Sequence, residues 1–349
     1  MMSARFLTVV LERAFNMRDG FGREIDYMRI SVIDSCNLNC YYCNPCDNNE
    51  HCHALNILSV KEVLCIVRAA TRLGIKHFRL TGGEPLLHPQ LDEMVLQIKK
   101  IPGVSSVSLT TNAVLLVQHA KWLKEAGIDS INVSLDTIDA SEYERITKKP
   151  LLEEVKHGIN AAIECGIRVK INVVLTPQTD VVALTRYVAK KGTDIRFIEM
   201  MPVGEGHTNG VEPYKKVIGT LSKLYGEPCR INTEKTKEIN SGNNKRKIPD
   251  NGPAEYYIFP ELGIRVGLIQ AIHGKFCDTC NRIRVTADGR LMPCLGSSVT
   301  MDLVPDSWDF ADDVEKDFAI VRALRAAIKA KPRCHNFNDN AVTYTKTTE

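Results

Sequence analysis

Tyr27-Met28-Arg29-Ile30-Ser31-Val32-Ile33, followed closely by Cys36-Asn37-Leu38-Asn39-Cys40-Tyr41-Tyr42-Cys43, is the stretch that decides the fold. Its first part is a short β-rich run, and its second part sets three cysteines on one loop. Working outward, similar runs recur at His77–Leu80, Val104–Leu109, Ser130–Leu135, Arg168–Leu175 and Asp194–Met200. Between them lie segments with apolar residues at three- and four-residue spacing, the signature of an amphipathic helix. These are Ser59–Leu73, Pro89–Lys100, Val114–Ala126, Leu151–Cys165 and Val181–Lys190. Gly74, Gly127, Gly166 and Gly192 stand where four of those helices must end, as left-handed caps require. Strands alternating with helices predict an α/β fold with a parallel sheet and right-handed crossovers. A closed or partly closed barrel and an open doubly wound sheet both satisfy the pattern.

Ligands in such folds bind at the carboxyl ends of the strands. The residues just past each strand are therefore informative. The cysteine loop comes after the first, Thr81-Gly82-Gly83-Glu84-Pro85 after the second and Thr110-Thr111-Asn112 after the third. Ser134, Leu135 and Asp136 end the fourth, Thr176 the fifth, and Glu199, Met200 and Met201 the sixth. Polar and sulfur-bearing residues gather on one rim.

Residues 202–213 are rich in Gly and Pro, and residues 232–253 read as a long polar, basic loop. Beyond it Tyr256–Phe259, Ile264–Ile269, Arg282–Thr286 and Arg290–Met292 read as short strands, with a turn at Asp288-Gly289. Val314–Ala330 reads as an amphipathic helix.

Composition narrows the function. A net charge of +3 is too mild for a nucleic-acid surface, though a few local arginines suffice for a small anion. No apolar run reaches the length of a membrane span, and Phe6–Leu11 is followed by Glu12 and Arg13 without a cleavage site. The expectation is a cytoplasmic protein with no membrane and no nucleic-acid partner. Twelve cysteines without a secretory signal argue against a disulfide framework. Cys65 and Cys165 sit in helical patterns among apolar neighbours and read as buried thiols. The others cluster, which points to metal or redox chemistry.

Cys36, Cys40 and Cys43 can hold three irons of a four-iron cluster and leave one iron open, whereas ordinary electron-transfer clusters take four cysteines. Zinc would also want four ligands, and Cys46 or Cys52 could supply one. A second triad, Cys277, Cys280 and Cys294, contains a C-x2-C that alone reads equally as a zinc half-site or a redox pair. Lys170 lies mid-strand, where a lysine must be paired or functional.

The C-x3-C-x2-C loop, with Tyr42 before its last cysteine, and the Gly82-Gly83-Glu84-Pro85 stretch resemble the two signatures of the radical S-adenosylmethionine superfamily. Phe276 to Gly289 with Cys294-Leu295, together with Phe21-Gly22-Arg23, Leu109–Asn112, Asn132–Asp136, Lys170–Val174 and Arg196–Glu199, resemble the GTP 3′,8-cyclase family of molybdenum cofactor biosynthesis. The resemblance runs from about residue 20 to 300, with an echo at Lys331-Pro332 and His335.

It implies a partial (β/α)6 TIM-like barrel at residues 20–205. A C-terminal region, residues 206–349, of short strands and a helix would carry an auxiliary cluster, bind substrate and close the barrel mouth. It implies two [4Fe-4S] clusters, on Cys36, Cys40 and Cys43 and on Cys277, Cys280 and Cys294. It implies S-adenosyl-L-methionine held by Tyr42, Gly82, Gly83, Glu84, Ser134 and Met201, and GTP held by Arg29, Arg79, Thr110, Lys170, Arg282 and Arg284. The implied chemistry is a 5′-deoxyadenosyl radical that takes the C3′ hydrogen of GTP, after which C3′ attacks C8 to give 3′,8-cyclo-7,8-dihydro-GTP. The implied partners are an electron donor such as flavodoxin or ferredoxin and a downstream cyclic pyranopterin monophosphate synthase, with the enzyme a monomer or homodimer.

Four features depart from the family: the sequence ends at Thr343–Glu349 without a Gly-Gly tail, position 77 is His where Lys is common, Asn44 replaces a usual methionine, and Cys46–His53 is rewritten. Two cysteines and two histidines in that loop invite a metal, but their spacing is too tight for zinc-finger patterns and a polar surface loop is the simpler reading. The alternatives kept open are a paralogue acting on another nucleotide and a non-catalytic iron–sulfur electron-transfer protein.

Overall fold

A computed structural model describes residues 17–43, 56–203, 206, 210–231, 239–241, 244–246, 252–303 and 313–337 of the 349-residue chain. Phe6–Leu11, Asn44, the Cys46–His53 loop and the Thr343–Glu349 stretch lie outside the described residues.

Six strands, β1 (Tyr27–Ser31), β2 (His77–Thr81), β3 (Ser106–Thr111), β4 (Ser130–Ser134), β5 (Val169–Val174) and β6 (Asp194–Ile198), pair in parallel in chain order. Five of the connecting helices are α1 (Val60–Arg72), α2 (Leu91–Lys99), α3 (Leu116–Glu125), α5 (Leu152–Glu164) and α6 (Val181–Lys190). A further helix, α4 (Ala140–Thr147), precedes α5. Gly74, Gly127, Gly166 and Gly192 take φ of 86°, 87°, 69° and 63°, the left-handed caps that the sequence predicts. The α1 start is fixed by a capping box: Ser59 Oγ accepts the Glu62 N–H, and the Glu62 carboxylate accepts the Ser59 N–H at 2.7 Å.

Alternation along each strand sorts the side chains. Met28, Ile30, Phe78, Leu80, Val107, Leu109, Ile131, Val133, Ile195 and Phe197 are all fully buried in the hydrophobic core. The residues between them, such as Arg29, Arg79, Ser108, Asn132, Lys170 and Arg196, border a central cavity instead. Side chains from all six strands meet at that one cavity, so the sheet curls around it.

The region after residue 206 builds the helix α7 (Gly219–Tyr225), the strands β7 (Cys229–Ile231), β10 (Glu255–Ile258), β11 (Arg265–Ile269), β12 (Arg282–Val285), β13 (Arg290–Met292) and β14 (Met301–Asp302), and the helix α8 (Asp313–Lys329). Part of the stretch read as a loop forms a two-stranded ribbon, β8 (Ile239–Ser241) with β9 (Asn244–Arg246). The other strands extend the same sheet at both edges. β12 pairs in parallel with β1, and β11 pairs in parallel with β6. The result is one 12-stranded sheet ordered β14-β13-β12-β1-β2-β3-β4-β5-β6-β11-β10-β7, whose outermost strands do not pair with each other among the described residues.

Helices α3 and α5 pack closely because α5 carries Gly158. A Cβ there would stand 2.3 Å from the Ala113 carbonyl oxygen and 3.0 Å from Leu116 Cβ. Alanine ordinarily improves a helix interior by about 1 kcal/mol over glycine. Here the backbone oxygen cannot give way, and overpacking costs about 1–3 kcal/mol. Gly158→Ala should therefore lower the urea midpoint despite its better helix propensity; an increase would refute the close-packing account.

Candidate active site

The first triad sits just past the carboxyl end of β1. Its loop is tied to α4: the Asn39 N–H donates to Thr147 O (3.0 Å) and the Tyr41 N–H to Ile146 O (3.1 Å). The Tyr42 hydroxyl donates to Asp136 Oδ2, and the Val174 N–H donates to Asp136 Oδ1 at 2.7 Å. Burial raises the Asp136 carboxyl to about 6, with those two bonds pulling the other way. Burial, then the Asp136 charge and the neighbouring thiols, pushes Cys40 up to about 12.

Gly82 and Gly83 lie flat against the chain entering this loop. The Gly83 N–H donates to Ile33 O and the Glu84 N–H to Ser35 O, both at 2.8 Å. A Cβ on Gly82 would stand 2.5 Å from Ile33 O, and one on Gly83 2.2 Å from Ser35 O, so only glycine fits. Glu84 is 1% exposed and accepts from Thr111 Oγ1 (2.7 Å), the Asn112 N–H (2.7 Å) and the Leu86 N–H (3.0 Å). Burial still lifts its carboxyl to about 7. Asn112 in turn reaches Asn37 Oδ1 (2.7 Å) and Cys36 Sγ (3.9 Å). Ser134 and Tyr42 border a small cleft of about 40 Å³ with Cys40.

The second triad lies at the opposite end of the sheet. Cys277 and Cys280 precede β12, which runs parallel to β1, and Cys294 follows β13, which returns antiparallel. Tyr27, at the start of β1, donates its N–H to Asn281 O. The C-terminal region therefore closes the amino end of the strands rather than the rim that carries the first triad. Two buried cations strap it there. Arg23 donates to Cys277 O (2.7 Å), Arg333 O (3.0 Å) and Pro332 O (2.6 Å). Lys331 donates to Arg282 O (2.8 Å) and Pro293 O (2.9 Å). Burial raises the Cys280 thiol, but Arg282 and Lys331 outweigh it and bring it down to about 7.

Between the triads runs a cavity of about 510 Å³. Arg29, Arg79, Lys170, Arg282 and Arg284 border it, with Met201 and all three cysteines of the second triad. Thr110 accepts from Arg79 Nη1 at 3.4 Å, and Arg79 also donates to the Tyr27 hydroxyl. Neither the first triad nor Thr110 is among the residues that border this cavity. Burial, then the charges of Arg284, Arg79 and Arg282, holds Arg29 well below the usual guanidinium range. Arg29 Nε, Arg196 Nη2, Arg282 Nε and Asn132 Oδ1 are buried without a hydrogen-bond partner among the described residues. Asn132 Oδ1 is an acceptor, but the other three are cationic N–H donors, and such donors without partners mark a place made for an anion.

Among the described residues no three His, Cys, Asp or Glu side chains converge as a single metal ion requires. Yet the thiols of each triad feel one another's charge. That donor set fits a multi-iron cluster, which takes one thiolate per iron, better than it fits zinc.

A Radical SAM superfamily profile matches residues 30–183, and a Molybdenum Cofactor Synthesis C profile matches residues 193–337. A GTP 3′,8-cyclase of Clostridium perfringens is 35% identical over 324 residues, 92% of this chain and 95% of its own length. Another, from Peptoclostridium acidaminophilum, is 37% identical over 328 residues, covering 92% and 94%.

This chain belongs to the GTP 3′,8-cyclase family.

As a radical S-adenosylmethionine enzyme of that family, it takes a [4Fe-4S] cluster and S-adenosylmethionine. The fold agrees: Streptococcus suis SuiB bound to its precursor peptide SuiA superposes with a TM-score of 0.57 at 14% identity, covering 93% of this chain and 69% of that one. The anSMEcpe structure with bound AdoMet gives 0.52 at 17%, covering 85% and 82%.

The cavity is also bordered by residues that the sequence does not single out as substrate contacts. Arg196 is 4% exposed, borders the cavity and donates to Asn172 Oδ1 at 2.9 Å. It alternates with Ile195 and Phe197, the same signal that exposes Lys170. Asn132, Lys331 and His335 border the cavity as well.

Proposed function

We propose that this protein converts GTP to 3′,8-cyclo-7,8-dihydro-GTP, the first step of molybdenum cofactor biosynthesis. The observation that carries the reading is the cavity between two cysteine triads, bordered by cations of which Arg29, Arg196 and Arg282 each keep a buried N–H without a partner among the described residues. In this reading Cys36, Cys40 and Cys43 hold one [4Fe-4S] cluster, and Cys277, Cys280 and Cys294 hold a second. Tyr42, Ser134 and Met201 contact S-adenosylmethionine, while Gly82, Gly83 and Glu84 shape its methionine end. When bound, the first cluster and S-adenosylmethionine supply the one-electron cleavage that starts radical chemistry.

The chain's own residues do the rest. Arg29, Arg79, Lys170, Arg282 and Arg284, joined by Arg196, fork onto triphosphate oxygens and neutralise them. Thr110 steadies Arg79. The curled sheet keeps bulk water from a ribose stripped of its C3′ hydrogen. Holding C3′ against C8 lets that bond form, and one electron and one proton then complete the dihydro product. The division of labour between residues 20–205 and 206–349 belongs to the same proposal, as do a cytoplasmic setting, a flavodoxin- or ferredoxin-type electron donor and a downstream cyclic pyranopterin monophosphate synthase. Among the described residues no helix is long and apolar enough to cross a membrane.

The test is product analysis by mass spectrometry after anaerobic reconstitution, with GTP beside a panel of other nucleotides. Cyclised GTP is expected, with about eight irons per chain, four for each triad. Cleavage of S-adenosylmethionine with another nucleotide converted and GTP untouched would replace the substrate; four irons and no cleavage would leave an electron-transfer protein.

A further inference from the structure

The C-terminal strands flank β1 and β6, so the amino end of the sheet is covered from those two sides. Between them, where β2 to β5 begin, the cavity is bordered by His77, Ser105, Ser106, Asp129, Ser130 and Arg168. Of all the described residues that border it, only Ser105, Asp129 and Gly252 are exposed. The first two stand immediately before β3 and β4, and Gly252 precedes β10. A cavity reaches solvent where its own walls do, so its mouth lies at this end. Toward the first triad no exposed residue among those described borders it.

The mouth is polar and unfilled. Three of its residues are serines, whose short side chains do not span the opening. Ser105 and Ser106 both donate their N–H groups to Lys76 O, at 2.8 and 3.2 Å, which fixes the lead-in of β3 against that of β2. Asp129 accepts from the Val107 N–H (2.7 Å) and from Lys99 Nζ (2.9 Å), which offsets its charge. His77 Nδ1 lies 2.8 Å from Ser106 Oγ. Cations then lead inward by alternation. Lys170 follows Arg168, and Arg79 follows His77, each two residues and about 7 Å deeper along its strand. A passage whose walls carry one sign of charge concentrates the opposite ion and speeds its entry.

We infer that the nucleoside triphosphate enters, and its cyclised product leaves, through this amino-end mouth, opposite the rim that holds S-adenosylmethionine in the proposed reading. This deepens the proposed function and rests on it. Each ligand then has its own entrance, so nucleotide exchange requires no departure of the cofactor.

Charge at the mouth tests the route without touching any nucleotide contact. A charge on the rim of a site changes the association rate and its salt dependence more than the dissociation rate. Both rates are followed with radiolabelled GTP by rapid filtration of the reconstituted holoenzyme, its clusters oxidised so that nothing turns over. At low ionic strength Ser105→Lys should speed association about threefold and Ser105→Glu slow it about threefold, with dissociation unchanged. Near 1 M salt, where the Debye length is about 3 Å, both variants should converge on the wild type. Lys148, exposed at the end of α4, stands on the opposite rim beside the first cysteine loop. Lys148→Glu should leave GTP association unchanged, and so should saturating S-adenosylmethionine on the wild type. Wild-type association rates in both Ser105 variants overturn the inference. So does an effect of Lys148→Glu as large as theirs, or blocked association in the presence of S-adenosylmethionine. Each of these leaves the cyclase reading intact, because GTP still binds. A wild type that binds no GTP removes both.

Discussion

Arg29→Met should bind GTP roughly a hundredfold more weakly than the wild type and yet unfold at a higher denaturant concentration. The two halves have one cause. Arg29 faces the cavity with a buried Nε that has no partner among the described residues, and Arg284, Arg79 and Arg282 crowd it with like charge. Without an anion, that arrangement stores repulsion, which an apolar side chain of similar length removes. Replacing buried charge by well-packed apolar groups stabilises by about 1–4 kcal/mol, and the low end applies because Arg29 is only partly buried. With a triphosphate present the sign reverses, since removing one partner of a desolvated charge pair costs about 2–5 kcal/mol. Urea unfolding and calorimetric titration of the same preparation check both. A variant that is less stable and binds normally would mean that the cationic layer is structural.

Gly83→Ala should cost the protein the iron of its first triad and leave that of the second. The new Cβ would stand 2.2 Å from Ser35 O and 2.5 Å from Asp34 O, both backbone atoms one and two residues from Cys36. Neither stretch has a flexible side chain to yield, so the Gly83 N–H bond to Ile33 O and the Glu84 N–H bond to Ser35 O must open. Cys36 then moves relative to Cys40 and Cys43, which are tied to α4 by Asn39 and Tyr41. The second triad, at the other end of the strands, is held by Arg23 and Lys331 and feels none of this. About four irons should remain of about eight, one cluster's worth. S-adenosylmethionine cleavage should vanish while the far-UV circular dichroism stays unchanged. Full iron loading with normal cleavage would show that the glycine pair is not needed for its closeness to residues 34 and 35.

Much of this was legible in the residues because the signals are local. Alternation in Tyr27–Ser31 or Val169–Val174 is a property of five or six consecutive residues, and so is the glycine after each helix. The helix α4 went unread because its buried apolar side is only Tyr143 and Ile146, although Asp139 accepting from the Glu142 N–H is an ordinary cap. The pairing of Tyr27 with Arg282 joins residues at opposite ends of the chain, and no local pattern announces it. For the same reason the end of the strands at which the second triad lies is not legible in the sequence. Its cysteines precede a strand whose direction only the partner β1 reveals. Arg196 was within reach of the reasoning applied to Lys170, as the one inward cation of Asp194–Ile198.

Having its last-made strands on both flanks of the first-made six has a consequence for the chain as it leaves the ribosome. Until β11 and β12 emerge, β6 and β1 present bare rows of amides and carbonyls to their surroundings. The wait between completing Ile198 and completing Val285 is on the order of ten seconds at ordinary elongation rates. During that interval the nascent protein is at its stickiest. A stop codon placed within it should yield insoluble chains rather than a smaller folded unit.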